Sequence, residues 1–75
     1  MLDYKAVHRE CTSALKKHYP AATLETVQLT FLGVMWEISC KFRLDGVEYM
    51  AWANDSELDT AAREFIAKPI VSSRF

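Results

Sequence analysis

The chain has 75 residues, with nine Lys and Arg against ten Asp and Glu and a formal net charge of −1. That length leaves no room for a second domain, and the near-balanced charge excludes a polybasic nucleic-acid tail. No apolar stretch approaches the roughly 18 residues needed to span a membrane, and residues 1–5 lack the apolar run of a secretory signal, so the expected location is the cytoplasm.

The first predicted element is a helix over about 3–18. Asp3 is a good N-cap type just before the apolar pattern begins. Tyr4, Val7, Cys11, Ala14, Leu15 and His18 recur at three- and four-residue steps and form one stripe. Lys16 and Lys17 suit the negative end of the helix dipole, and Pro20 forces the chain out of the helix.

Three strands follow, over about 24–31, 35–44 and 47–53. Val27, Leu29 and Phe31 alternate with Thr26, Gln28 and Thr30. After a turn at Gly33, Trp36 to Leu44 alternates strictly, which predicts a half-buried strand. Asp45-Gly46 then favours a two-residue type I′ hairpin, whose central residues both need positive φ. That turn fixes a register. Leu44 faces Val47, Phe42 faces Tyr49, Cys40 faces Ala51 and Ile38 faces Ala53, all on one apolar face. On the other face Arg43 opposes Glu48, Lys41 opposes Met50 and Ser39 opposes Trp52.

A second helix is expected over about 56–67. Ser56 and Asp59 have capping-box spacing, Leu58, Ala61, Ala62, Phe65 and Ile66 form the stripe, and Pro69 ends it. The tail over 70–75 is unassigned: it frays, or Ile70 and Phe75 dock onto the core. The expected fold is therefore α+β, a single two-layer α-β-β-β-α domain with both helices on one face of an antiparallel three-stranded sheet.

From Trp36 to Ala67, this order resembles the double-stranded-RNA-binding domain: a strand, the Asp45-Gly46 turn, the strand opening Val47-Glu48-Tyr49, and a helix carrying Thr60-Ala61-Ala62-Arg63. In that family a Lys-rich start to the second helix grips phosphates across the major groove. Here the matching stretch is Asp55, Ser56, Glu57, Leu58, Asp59, with carboxylates in place of lysines. The resemblance thus implies the element order. The first helix supplies an alternative nucleic-acid-binding set in Lys5, Arg9, Lys16 and Lys17.

No pattern of catalytic residues emerges. His8, Cys11, His18 and Cys40 are a nominal metal-ligand set without Cys-x-x-Cys or His-Glu-x-x-His spacing. The two cysteines fall at apolar-face positions and are expected reduced and buried. The reading is of a protein that is not an enzyme and needs no metal or other cofactor.

A partner surface is the stronger expectation. The outer sheet face carries Lys41, Arg43, Glu48, Met50 and Trp52, and an exposed Trp at the middle of a sheet is the type of residue that dominates binding energies. The second helix adds Asp55, Glu57 and Asp59, an acidic edge that could meet a basic groove. The expected function is a small protein-binding protein that occludes a surface on a larger protein or nucleoprotein complex. In size and character it is similar to phage or mobile-element inhibitors of anti-CRISPR type, whose setting is the host cytoplasm. The alternatives are a nucleic-acid-binding module using the first helix, and a homodimer through the outer face.

Overall fold

A computed structural model describes residues 3–73. Helix α1 (Tyr4–His18) is followed by β1 (Thr23–Phe31), β2 (Trp36–Leu44), β3 (Val47–Asp55), α2 (Leu58–Ala67) and β4 (Ile70–Ser73). The four strands form one antiparallel sheet in the order β1-β2-β3-β4. This is the expected α+β class, with one correction: the sheet has four strands where the sequence reading placed three.

Each boundary has a local cause. The Asp3 carboxylate accepts a hydrogen bond from the Lys5 amide at 2.8 Å and caps α1. At the other end, the Tyr19 amide donates to the Leu15 carbonyl at 2.8 Å, before Pro20. Asp45 and Gly46 both adopt positive φ, at 53° and 77°, as the type I′ turn requires. The β2–β3 register is the one the turn dictates, from Leu44↔Val47 through Ile38↔Ala53. It runs on to Trp36↔Asp55, so β3 ends two residues later than the pattern suggests.

Ser56 does not cap α2. Its hydroxyl donates to the Asp55 carboxylate, which also accepts the Glu57 amide, both at 3.3 Å. The helix instead begins at Leu58, with Glu57 at the N-cap position and no side-chain cap bond.

Over its described residues, 70–73, the tail forms a strand and does not turn its first residue to the core. Pro69 is buried, and the chain folds back against β3 with Ile70 opposite Trp52 and Ser72 opposite Met50. Val71, opposite Ala51, packs on the core, whereas Ile70 is exposed on the far face. Phe75 lies outside the described residues.

Both helices cover the same face of the sheet. The core combines Val7, Cys11 and Leu15 of α1, Ala61, Ala62 and Phe65 of α2, and Ile38, Cys40, Phe42, Ala51 and Ala53 of the central strands. The small residues Ala51, Ala53, Ala61 and Ala62 let α2 sit close to β3. A ladder of rings crosses this face, with Tyr19 stacked on Phe42 at 5.2 Å and Phe42 on Tyr49 at 5.5 Å. Three ends of the predicted stripes stay in solvent. Tyr4, His18 and Ile66 are exposed, and the His18 Nε2 bonds the Ile66 carbonyl at 3.0 Å, joining the C-terminal turns of the two helices. Among the described residues, no helix is long and apolar enough to cross a membrane.

Candidate interaction surface

With α1 and α2 on one side, the other side of the sheet is uncovered by any described element. Strand pairing arranges its side chains in rows. Gln28, Ser39, Trp52 and Ile70 form one, and Thr26, Lys41, Met50 and Ser72 form the next. Beyond them Arg43 lies between Glu25 (3.8 Å) and Glu48 (3.6 Å). Trp52 and Met50 are half-buried and do not belong to the core. Ser39, although on this outer face, is buried beneath its larger neighbours. Ile70 is 55% exposed beside Trp52. The chemical character is thus an apolar centre, Trp52–Met50–Ile70, bordered by the Lys41 ammonium and the Glu25–Arg43–Glu48 ion pairs.

Five predicted residues (Trp52, Met50, Lys41, Arg43 and Glu48) therefore meet on one face. Sequence reasoning missed Ile70. Its only signal was alternation over four residues after a proline, too short to specify a pairing partner.

The acidic residues do not join them. Asp55 ends β3 opposite Trp36, while Glu57 and Asp59 stand at the start of α2. The Glu57 amide, above all, holds the Asp55 carboxyl below its ordinary range, aided by a hydrogen bond with Glu64. That same bond raises the Glu64 carboxyl. The negative charge here is internally organised at the β3–α2 connection.

The basic residues lie on the opposite layer. Lys5, Arg9 and Lys16 fall within about 40° of one another at 100° per residue, on the exposed side of α1. Lys17 is turned away from them, into a shallow groove shared with Glu10, His18 and Ile66.

The cysteine and histidine candidates separate. Cys11 and Cys40 are free thiols in the core. Burial pushes Cys11 up to about 12, helped by the neighbouring Cys40 and Glu10, and pushes Cys40 up to about 11. Protonated, solvent-excluded thiols are poor nucleophiles and poor metal ligands. His8 is exposed, and His18 is held by the Ile66 carbonyl. Among the described residues, no three His, Cys, Asp or Glu side chains gather as a metal site.

No family model matches the chain, and comparison with curated proteins and with solved structures gives no match either.

Proposed function

We propose that this chain is a non-catalytic protein-binding protein that acts by covering a surface on a larger partner with its outer sheet face. The observation that carries the reading is Trp52, half-exposed between Met50 and exposed Ile70 on a face that neither helix covers. Tryptophan anchors give large contact area at small entropic cost. The mixed charges around it, Lys41 and the Arg43 ion pairs, supply a polar rim that fixes orientation. Inhibition by occlusion, as in proteins of anti-CRISPR type, is a mode of action that such a surface would serve.

The rival reading is a degenerate double-stranded-RNA-binding type of module. What favours it is the shared exposed side of Lys5, Arg9 and Lys16 on α1. The acidic start of α2 opposes it, since carboxylates repel phosphates and release no counterions. Two measurements separate the readings. Affinity capture should retain a defined protein partner that Trp52→Ala and Ile70→Ser both lose and Lys16→Ala keeps. A nucleic-acid mobility shift that weakens steeply with salt, and is flattened in a Lys16→Ala/Lys17→Ala variant, would establish the rival instead.

A further inference from the structure

The two edges of the sheet are built differently. β4 is four residues long, whereas β1 is nine and has a neighbour on one side only. Natural sheets blunt such an edge with lysine, proline, bulges or a covering element. β1 has one charge and one bulge, both at its start: Glu25 lies where the register with β2 shifts between Leu24 and Thr26. From Thr26 to Phe31 there is no charge, no proline and no glycine.

The hydrogen-bond phase of this stretch is set by its hairpin. The Leu32 amide donates to the Met35 carbonyl at 2.7 Å, closing the β1–β2 hairpin around Gly33 and Val34. Alternation back along the ladder then turns the backbone groups of Thr30, Gln28 and Thr26 toward β2. Those of Phe31, Leu29 and Val27 point outward, where no described strand receives them. The same three side chains lie on the apolar side of the sheet. Leu29 lines a groove with Tyr4, Lys5 and His8 of α1. Phe31, 54% exposed, leans on Trp36 at 5.1 Å.

Val27, Leu29 and Phe31 are symmetric about Leu29. We infer that two copies of this chain pair antiparallel along β1, with a two-fold axis at Leu29, to form one continuous eight-stranded sheet. Leu29 then faces Leu29 and Phe31 faces Val27. Every outward N–H and C=O of these residues is satisfied by its counterpart, as an isologous interface requires. Gln28 faces Thr30 on the outer side, both uncharged. Lys5, which shares the groove with Leu29, is exposed, so its repulsion with the Lys5 of the second copy is screened within about 8 Å at physiological salt. A second copy fits this edge because its alternation and its neutrality are both self-complementary. The inference is independent of the function proposed above.

The test uses the full chain. Light scattering at sub-millimolar concentration should give twice the 8.6 kDa chain mass. Leu29→Pro removes an outward amide while leaving the β2 ladder intact, and should give a monomer with an unchanged circular dichroism spectrum. A pair of cysteine variants reads the register even if that proline variant fails to fold. Gln28→Cys and Thr30→Cys chains, mixed and oxidised, should form a covalent heterodimer, because residues facing each other at such a position have Cα atoms about 4.5 Å apart. Neither variant should crosslink alone. A monomer at every concentration, no crosslink in the mixture, or a crosslink in either chain alone would overturn the inference. So would a dimer that Trp52→Ala dissolves, or a monomer whose β1 edge instead takes up a strand from another protein.

Discussion

The two buried thiols make the alkaline limb of stability a residue-scale test. Cys11 and Cys40 are both raised in the folded chain, mainly by burial. Above the ordinary thiol value of 9.0 the unfolded chain loses these protons first, so unfolding is favoured as pH rises. Their stabilising contribution is complete below pH 9 and is lost between there and about 11 to 12, at up to about 1.4 kcal/mol per pH unit for each thiol. Urea midpoints measured from pH 8 upward should fall on that limb. Cys11→Ala should lower stability at pH 8 and make the alkaline slope shallower. An identical slope in the variant would show that the thiols do not control it. A thiol reagent at pH 8 should leave both groups untouched until the chain unfolds. Trp52 belongs to the same scale and behaves in the opposite way. It is half-buried outside the core, so Trp52→Ala should cost less than about 1.5 kcal/mol by urea unfolding, against the 3–5 kcal/mol typical of a core aromatic such as Phe42→Ala.

At the scale of elements, caps and turns make the most exact predictions. Asp3→Ala removes the carboxylate that receives the Lys5 amide and should cost about 1 kcal/mol, read as a shifted urea midpoint with an unchanged slope. Gly46→Val forces a β-branched residue to a φ of 77°. The open space around Gly46 leaves backbone strain as its only penalty, so the loss should be about 1–2 kcal/mol. These are also the elements most legible in the sequence. Asp45-Gly46 and nine alternating residues specified the β2–β3 register from Leu44↔Val47 to Ile38↔Ala53, because a one-residue slip would turn Phe42 and Ile38 to solvent. The start of α2 was less legible. Ser56 had the spacing of a cap, but the neighbouring Asp55 captured its hydroxyl. β4 was not legible. Ile70–Ser73 pairs with β3 through backbone groups, which carry no residue signature, and its side chains alternate over too few positions. Truncation after Lys68 should expose the β3 edge beside Trp52 and Met50. The shortened chain should be less stable in urea and more prone to aggregate, as measured by light scattering.

For the whole molecule, the central constraint is that the described elements cover only one side of the sheet. Residues of both helices join Ile38, Cys40 and Phe42 in one core, so among the described residues the core is a single layer and the far side is managed by side chains alone. Ser39 shows the compromise: a polar residue lies buried on the outward side under its neighbours. The candidate surface was half legible for this reason. Alternation placed Trp52, Met50, Lys41, Arg43 and Glu48 on one face from the sequence. The contribution of Ile70 depended on a fold-back that only the tertiary structure reveals. The basic and acidic candidates were legible as residues but not as a group. α1 carries Lys5, Arg9 and Lys16 on the opposite layer, and Asp55 and Glu64 are tied to each other at the edge.

The two tryptophans divide between the two faces. Trp36 sits on the helix side among Tyr4 and Phe31, at 5.6 and 5.1 Å, while Trp52 stands on the bare side. Each face therefore carries its own intrinsic fluorophore. In a Trp36→Phe chain the tryptophan emission comes from the bare side alone, and in a Trp52→Phe chain from the corner beside the open strand. A blue shift in one with none in the other would locate a binding event optically, without attaching a label.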